Sequence, residues 1–561
     1  MKIRRSARRI NWFVLGLIGL ALLAVGAFFW VINLMGSGQS YRSPLADTPP
    51  TPGQALDTPV TRRVVVVLID ALRYDTSTKP AVMPFLNELR AQGASATMHS
   101  QPPSFSAPGW TIILTGAWQD INDSQLFNPP DEFSARAFTQ DDIFAAAQRA
   151  GLNTAVSGYV WFEGMLANSG VNAGFYTPGE DNVADVEVVA AALPWLTEDY
   201  QLVLIHLDQV DYAGHYEGGP RGPNWDAAVT RADSILSEIV AQLDLTQDTI
   251  LVISDHGQID RGGHGGPEPI TLVEPFVMAG AGIVIGNYGD VNMVDIAPTL
   301  AVLLGTNIPA SNQGHVLTDM LTLTSEQNVA IQEALKAQQS QLFTTYTTAI
   351  GSTASVEDGE IVSATQTALN QARLARLGSE RIWRNVLAAF LAILPGYLLF
   401  LRKDKKFLWL IAGAVLYILL FNLRYAVIDG LTYSLASFNQ GATYLLVYNA
   451  MTAAVAIILA WLVPMFGLRA FKAGPRKAVE TALGYIWFTL YLLALPILLS
   501  FAVNGFTLTW TLPEWHTLFI GLLSLIQSLI VAVVGLLLVA VSAGIGWLAS
   551  RRTLHPSPFL I

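Results

Sequence analysis

Seven residues of metal-binding or nucleophilic type lie at the ends of apolar, strand-like runs or at the mouths of glycine- and proline-containing turns. They are Asp70, Ser106, Asp211, His215, Asp255, His256 and His264. In an α/β sheet, these are the places where side chains meet a ligand. Carboxylates and imidazoles suit zinc or manganese, and two such ions about 3.5–4 Å apart can hold the attacking and leaving oxygens of a displacement at phosphorus. The inventory predicts two divalent metals beside a hydroxyl nucleophile.

Asp70 and Ser106 each have a simpler structural explanation when taken alone. Asp70 ends the β-branched run 64–69, typical of a buried central strand, where an unpaired carboxylate is too costly without a cation, water or helix start. Ser106 precedes Ala-Pro-Gly and an apolar helix-like run, so it lies where a helix dipole favours phosphate or alkoxide. Either residue could instead be an ordinary helix cap. Ser104 is the alternative nucleophile, and Asp75 is a weaker candidate ligand.

Asp211 and His215 follow the strand-like run Leu202–Leu207. Their four-residue spacing puts both side chains on one side of a helical turn, so that they can bind one ion together. His206 and Asp208 are near enough to compete with them or to support them.

Asp255 and His256 come directly after the strand-like sequence TILVIS, and Gly257 permits the sharp turn that adjacent ligands require. His264 lies in RGGHGG, whose glycines give the backbone freedom and should leave the imidazole accessible. A solvated loop histidine is the alternative explanation. Of only eight histidines in the chain, three fall in turns after strand signals and beside acidic residues, which favours the metal-binding interpretation.

The composition places much of the chain in lipid. With 52% hydrophobic residues, 13% charged residues and a mean hydropathy of +0.41 over 561 residues, the chain is too apolar for an ordinary soluble enzyme. Residues 11–35 form an apolar run behind a basic N-terminus, and their length favours an uncleaved anchor over a signal peptide. The absence of cysteine decides little, and the net charge of −11 argues weakly against a nucleic-acid partner.

After residue 382 the chain is almost wholly apolar, and it predicts membrane spans near 383–401, 407–424, 442–466, 481–503 and 517–548. Basic residues fill alternate connections: Arg402, Lys403, Lys405 and Lys406, then Arg469, Lys472, Arg476 and Lys477, then Arg551 and Arg552. With a basic N-terminus inside, six spans return each basic connection to the cytoplasm. We expect an integral plasma-membrane protein with both termini cytoplasmic and residues 36–382 outside.

The segment between the anchor and the spans alternates strand and helix patterns. Strands are predicted at 64–69, 154–157, 202–207, 249–253 and 275–278, and helices at 83–92, 141–150 and 225–243. This predicts an α/β fold, a mainly parallel sheet sandwiched by helices, with a transmembrane helix before it and a helical membrane bundle after it. The expected domains are 1–35 tip and anchor, 36–62 linker, 63–325 catalytic domain, 326–382 helical connector and 383–561 membrane domain of about five spans.

The motifs resemble the alkaline phosphatase superfamily, in particular the type I phosphodiesterase/nucleotide pyrophosphatase branch and the glycosylphosphatidylinositol ethanolamine phosphate transferases. The pieces are VVVVLIDALRYD, SFSAPGWTIILTG, HLDQVDYAGH, SDHGQIDRGGHGG and VDIAPTLAVLLG, spanning about 64–317. HLDQVDYAGH and the DHG…GGHGG piece are most similar to the transferases. The resemblance implies an alkaline phosphatase-like fold.

The resemblance also implies two ligand sets: Asp70, Ser106, Asp255 and His256 for one metal, and Asp211, His215 and His264 for the other. Zinc is the expected metal and manganese the alternative. Ser106 lies ten residues before the glycine of the TG pair, as the family's threonine nucleophile does, which selects it over Ser104. The chain departs from the pattern in having serine as nucleophile and Gly109 in place of an asparagine. We therefore expect the backbone N–H after Ser106 to stabilise the phosphoryl oxygen.

The predicted function is a membrane-anchored, extracytoplasmic phosphodiesterase or phosphoethanolamine-type transferase that works through a phospho-serine intermediate. Its expected partners are membrane lipids or glycolipids with a phosphodiester or phospholipid-type head group, and no nucleic acid. Two alternatives stay open. A sulfatase is one, because Ser-Ala-Pro begins the pattern converted to formylglycine, although Trp110 replaces its arginine. A non-catalytic transport or scaffold protein is the other. The motifs do not separate hydrolase from transferase or indicate an oligomeric state.

Overall fold

The structure is a computed structural model and describes residues 2–401, 404–438 and 441–554. The strands are β1 Arg63–Ile69, β2 Ala94–His99, β3 Thr154–Tyr159, β4 Ala173–Thr177, β5 Leu202–Leu207, β6 Asp248–Ile253, β7 Val273–Gly280 and β8 Gly286–Asn292. Within the described residues they form one sheet in the order β4-β3-β5-β1-β6-β7-β2-β8. All pairings are parallel except those that β7 makes with β6 and β2.

Helices flank this sheet and form a C-terminal bundle. They are α1 Lys2–Gln39, α2 Tyr74–Ser77, α3 Pro84–Gln92, α4 Ser106–Thr115, α5 Gln119–Asn122, α6 Ile143–Arg149, α7 Trp161–Met165, α8 Asn182–Ala192, α9 Gln209–Tyr216, α10 Pro223–Val240, α11 Ile296–Leu304, α12 Ser325–Ile350, α13 Ile361–Leu401, α14 Lys406–Asn422, α15 Ala442–Gly467, α16 Pro475–Asn504 and α17 Trp515–Leu554. A π-helical turn, Leu423–Ile428, continues α14.

Strand β1 lies at the centre of the sheet, and all seven of its residues are buried. A central position is possible because its side chains are either apolar or hydrogen-bonded. Alternate side chains enter separate cores on the two faces: Val64, Val66 and Leu68 on one, and Val65, Val67 and Ile69 on the other. Helices α4 and α11 pack in the first core, and α8 and α10 pack in the second. The predicted fold, a mainly parallel sheet between helices, is confirmed.

The three central strands end together, which positions the candidate site. Ile69 pairs with Leu207 of β5, and Leu68 pairs with Ile253 of β6. Because these strands are parallel and in register, the residues just beyond them meet at one edge of the sheet. Asp70 follows β1, helix α9 with Asp211 follows β5, and Asp255 lies two residues after β6.

Three strands have no strand signal in the sequence. They are β2 (ASATMH), β4 (AGFYT) and β8 (GNYGDVN), which lack a continuous apolar run and, at β4 and β8, are only partly buried. Period-two apolar alternation is weak in such segments, so pairing with neighbouring strands decides whether they form strands.

The predicted linker 36–62 differs from a free tether at its start: Tyr41 and Leu45 are buried, and the backbone N–H of Ser43 donates to Asp123 Oδ1 (2.7 Å).

Among the described residues, five helical segments are long and apolar enough to cross a membrane: Phe13–Gln39, Lys406–Ile428, Thr443–Gly467, Pro475–Asn504 and Trp515–Arg551. They coincide with the predicted anchor and with four of the predicted spans. The remaining predicted span, 383–401, forms the end of α13 and stays a prediction. Arg402 and Lys403 lie outside the described residues. Helix α12 of the predicted connector packs Ile331 and Leu335 into the core of the sheet domain.

Candidate active site

The fold brings all seven candidate residues into two adjacent clusters. In the first, ligand atoms of Asp70, Asp255 and His256 lie within 4.8 Å of one another. Ser106, the first residue of α4, points its Oγ to within 3.3 Å of His256 Nε2. His256 Nε2 is also 3.5 Å from Asp70 Oδ1 and 3.7 Å from Asp255 Oδ2. A hydroxyl, an imidazole and two carboxylates therefore converge on one point.

The second cluster consists of Asp211, His215 and His264, again with ligand atoms within 4.8 Å. Helix α9 places Asp211 Oδ2 3.3 Å from His215 Nε2, as the four-residue spacing predicted. His264 Nε2 lies 2.9 Å from His215 Nε2 and 3.6 Å from Asp211 Oδ1. The two clusters adjoin, because the rings of His256 and His264 stack with centroids 4.0 Å apart.

His264 is buried, contrary to the expectation of an accessible imidazole, with 7% of its surface exposed. Its ring packs on His256 and meets Phe105 edge-on at 5.5 Å. Gly263 and Gly265 on either side have φ of 109° and 93°, a conformation that favours glycine. The glycines therefore let the loop fold inward, and the alternative of a solvated loop histidine does not describe this structure.

The side-chain hydrogen bonds fix which histidine nitrogen faces each cluster. His256 Nδ1 lies 3.2 Å from the carbonyl of Gly257, and His264 Nδ1 lies 2.8 Å from the carbonyl of Ser104. Because a carbonyl only accepts, each Nδ1 carries the proton and each Nε2 presents its lone pair. Metal-binding histidines are oriented in this way by their other nitrogen.

The alternatives Ser104 and Asp75 are held by other partners. Ser104 Oγ donates to the carbonyl of Gly266 (3.0 Å) and accepts from the N–H of Gly265 (2.9 Å), so it supports the loop of His264. Asp75 is paired with Arg73 at 2.5 Å and belongs to neither cluster. The hydroxyl that contacts the His256 imidazole of the first cluster is that of Ser106.

Burial dominates the electrostatics of the site. It raises the pKa of Asp70 well above the usual range, and it raises the pKa of Asp255 to about 6. It lowers the pKa of His256 to about 4 and that of His264 to about 3, so both imidazoles are neutral near pH 7. For Asp211, burial is outweighed by the adjacent His215 and His264, which lower its pKa.

These groups fit a pair of divalent cations. In the described part of the chain, the ion-pair partners of Asp70, Asp211 and Asp255 are histidines and include no lysine or arginine. Asp70 Oδ1 is buried and accepts no hydrogen bond within the described residues. Buried carboxylates without a counter-charge are too costly to persist, and a bound cation removes that cost. Neutral imidazoles and carboxylates are the donors that zinc and manganese accept.

Two residues that hold the candidate ligands were not singled out from the sequence in that role. Trp110 Nε1 donates to Asp255 Oδ2 (2.8 Å), and Gln258 Nε2 donates to Asp211 Oδ1 (2.6 Å). Gly214 leaves room for that amide, since a Cβ there would lie 1.7 Å from Gln258 Oε1. Asp208 and His206 were predicted to compete or support, and His206 Nε2 lies 3.0 Å from Asp70 Oδ2.

The expected oxyanion donor is already engaged. The N–H of Ala107, the residue after Ser106, donates to Asn128 Oδ1 at 3.1 Å. That bond turns the amide group of Asn128 toward the nucleophile, with Nδ2 3.5 Å from Ser106 Oγ. Asn128 therefore replaces Ala107 N–H as the candidate donor to a phosphoryl oxygen. Nothing in the local sequence FNPP, apart from a turn-forming Asn-Pro pair, distinguishes it.

We expect Asn128→Ala to lower kcat for a phosphodiester by about 10²-fold, the usual cost of removing one preorganised donor. The KM should change much less, because the bond strengthens as charge develops on the phosphoryl oxygen. Steady-state kinetics on the full chain measures the split. Bound metal should be unchanged, since Asn128 belongs to neither ligand cluster. An effect confined to KM would contradict this assignment.

The family comparison agrees with this geometry. Residues 64–265 match the family model described as type I phosphodiesterase / nucleotide pyrophosphatase. The predicted resemblance to this branch of the alkaline phosphatase superfamily is thereby confirmed, and the predicted class, a phosphodiester hydrolase or phosphotransferase, agrees with it.

Particular relatives extend the comparison. The catalytic subunit of GPI ethanolamine phosphate transferase 3 from Homo sapiens is 25% identical over 291 residues, covering 46% of this chain and 26% of the relative. GPI ethanolamine phosphate transferase 2 from Yarrowia lipolytica is 26% identical over 297 residues, covering 48% of this chain and 34% of the relative. The chain thus spans about a quarter to a third of the length of these relatives. Murine ectonucleotide pyrophosphatase / phosphodiesterase 5 superposes with a TM-score of 0.41 at 15% identity, over 46% of this chain and all of that one.

Proposed function

We propose that this chain is a membrane-anchored phosphodiesterase or phosphoethanolamine-type transferase that uses two divalent metals and Ser106 as nucleophile. The observation that carries the proposal is Ser106 Oγ, 3.3 Å from His256 Nε2 in the buried first cluster, whose His256 ring stacks on His264 of the second cluster. The activity for which the relatives are named, ethanolamine phosphate transfer, supports the transferase form. The predicted integral membrane location, with the catalytic domain outside, would give the site access to lipid or glycolipid head groups.

Asp70, Ser106, Asp255 and His256 would hold one metal, and Asp211, His215 and His264 would hold the other. When bound, such ions lower the pKa of a nearby hydroxyl and neutralise charge on the phosphoryl oxygens. Zinc suits this donor set, with manganese as the alternative.

The chain's own residues account for the rest of the reaction. Ser106 loses its proton and its Oγ bonds to phosphorus as the bond from phosphorus to the leaving oxygen breaks; that oxygen takes up a proton and departs as the alcohol, which leaves a phosphodiester on the serine. In the second step the oxygen of an acceptor hydroxyl or water loses its proton and bonds to phosphorus, the bond from phosphorus to Ser106 Oγ breaks, and Oγ regains a proton. The N-terminal position of Ser106 on α4 and the amide of Asn128 stabilise negative charge on the transferring group. Only the acceptor separates transfer from hydrolysis.

The sulfatase alternative has less support. A sulfatase would require Ser106 as an aldehyde and a single metal, whereas the cluster of Asp211, His215 and His264 offers a second ligand set beside the first. The scaffold alternative is opposed by the intact first cluster beside Ser106 and by the second ligand cluster that adjoins it.

The proposal is tested by turnover and by the chemical state of Ser106. The purified full chain in detergent should cleave bis(p-nitrophenyl) phosphate when supplied with zinc, and quenched reactions with phosphatidylethanolamine should yield a Ser106 peptide carrying ethanolamine phosphate. Lipid and glycan profiles of membranes with and without the chain would then separate transfer from hydrolysis. An aldehyde at Ser106, or turnover indifferent to metal removal, would overturn the proposal.

Stabilisation of the protein by zinc should weaken as the pH falls from about 7.5 to about 5.5. In the metal-free fold, Asp255 takes up a proton below about pH 6, and Asp70, whose pKa is also raised, changes metal binding in the same direction. Metal must displace those protons, so apparent affinity should fall about tenfold per pH unit for each proton displaced. His256 and His264 stay neutral in this range and do not compete. Thermal unfolding with and without zinc measures the effect, and a pH-independent shift in Tm would contradict it.

A further inference from the structure

A cavity of about 520 Å³ lies in the membrane bundle between α14, α16 and α17. Its walls are mainly aliphatic, including Ile418, Leu493 and Leu523, with the polar groups of Asn422, Ser524 and Gln527 among them. Ligand pockets in proteins have volumes of about 300–1,000 Å³ and combine apolar walls with a few polar groups in the same way. The cavity is therefore large enough for an organic ligand.

The cavity lies at the end of the bundle that faces the candidate active site. Tyr433, which also lines it, belongs to the loop 429–438 between α14 and α15. This loop is fastened to the loop that carries His264. Arg261 donates to the carbonyl of Asp429 (2.8 Å), Thr432 Oγ1 donates to Glu268 Oε1 (2.7 Å), and Ser434 also donates to Glu268.

A narrow apolar slot lies between the loop that carries His264 and helix α17. It is bounded by Gly265 and Gly266, directly after His264, by Ser434, and by Phe519 and Leu522 of α17. The same turns of α17 supply Ile520, Leu523 and Ser524 to the cavity. The loop 429–438 and helix α17 therefore line both the slot and the cavity, so the two spaces are neighbours.

A row of aromatic rings joins the slot to the second ligand cluster. Phe105 meets His264 at 5.5 Å and Phe127 at 5.8 Å between centroids, and Phe127 meets Trp515 of α17 at 6.3 Å. Phe105 precedes Ser106 and Phe127 precedes Asn128, so the row runs beside the nucleophile and its candidate donor. From Trp515 to Gln527, α17 rises about 18 Å, close to the depth of one leaflet, about 15 Å.

The cavity opens sideways through the surface of the bundle. Leu419 on its rim is 59% exposed and Val415 is 42% exposed, although both are large apolar residues. In a bundle surrounded by lipid, this opening faces acyl chains and not water.

We propose that the cavity and the slot hold the acyl chains of a membrane phospholipid whose phosphodiester lies at Ser106. This inference rests on the proposed function and adds to it the place where the lipid is bound. The head group reaches the two clusters along the aromatic row, while the chains stay at the depth of the outer leaflet. The bundle then selects lipid substrates in addition to anchoring the enzyme.

Bulky replacements in the cavity test this binding site. Leu523→Trp and Ser524→Trp should each lower the ratio of phosphatidylethanolamine turnover to bis(p-nitrophenyl) phosphate turnover by at least about tenfold, because even a few methylenes excluded from an apolar site account for that factor. Leu537→Trp is the matched control: it lies on the same helix, is 63% exposed and is remote from the cavity. It should leave both activities unchanged. An unchanged ratio in the cavity variants would overturn the inference.

A crosslinking experiment tests the lipid site without requiring catalysis. Full-length Ser106→Ala protein in vesicles with a diazirine-labelled phosphatidylethanolamine should be labelled within residues 515–527 and 433–435, and Leu523→Trp, but not Leu537→Trp, should suppress that labelling. Labelling spread over the whole lipid-facing surface would overturn the inference. So would localised labelling with an unchanged turnover ratio, because the lipid would then be a structural one. If the wild-type protein turns over neither substrate, the proposed function fails while the labelling still decides the lipid site.

Discussion

Replacement of Ser106 by alanine is expected to lower phosphodiester turnover by at least about 10³-fold, the scale of losing a nucleophile. The variant should fold normally, because it removes one oxygen from a buried side chain and keeps the helix-forming residue types of α4. The carboxylates and imidazoles of both clusters remain, so metal should still stabilise the protein. Initial rates with bis(p-nitrophenyl) phosphate, together with the shift in Tm on adding zinc, measure both properties.

Ser104→Ala is the matched control for this experiment. Its hydroxyl binds the backbone of Gly265 and Gly266, while the contact to His264 comes from its main-chain carbonyl and is kept. We expect a far smaller loss of turnover than in Ser106→Ala and no loss of the covalent adduct. If the two serines exchanged these results, the nucleophile would be Ser104 and the assignment of Ser106 would be wrong.

The second large effect is expected at Asp211. Asp211→Asn combined with His215→Ala removes two of the three side chains of the second cluster, leaving His264 alone. The protein should lose about one of two bound metal equivalents, and turnover should fall about 10³-fold, because one of the two charges facing the phosphoryl group is gone. Metal analysis of the purified chain and kinetics at saturating zinc measure the two results.

Asp75→Asn is the control for the metal measurement. Asp75 is half exposed and paired with Arg73, so its loss should change neither metal content nor turnover beyond a few-fold. Retention of two metal equivalents in the Asp211→Asn, His215→Ala variant would show that the second ion, if bound, is held elsewhere. Retention of full activity by a one-metal protein would favour sulfatase-like chemistry.

The sequence predicted those parts of the fold in which local pattern and tertiary environment agree. The run 64–69 is apolar at every position because β1 is buried on both faces, and helix α3 ends at Gln92, directly before Gly93, as its spacing predicts. Strands β2, β4 and β8 were missed because they lack the continuous apolar run of β1 and their state depends on pairing with neighbouring strands. Within the site, residue type and position after a strand identified the candidate ligands. The contacts of Asn128, Trp110 and Gln258 were not predicted: Trp110 and Gln258 lie within the quoted motifs, but the side chain that each one contacts comes from another segment of the chain.

By itself the sequence determined the candidate chemistry, because carboxylates, imidazoles and a hydroxyl at strand ends have few other uses in a chain with so little charge. The sequence also determined which segments are apolar enough to lie in lipid. The tertiary structure alone decided how these parts are combined. It turned His264 inward onto His256, redirected the Ala107 N–H to Asn128, and joined the loop of His264 to the loop 429–438 of the bundle. The last two contacts link residues 21 and 168 positions apart, and a local pattern carries no information about which distant segment will satisfy a given polar group.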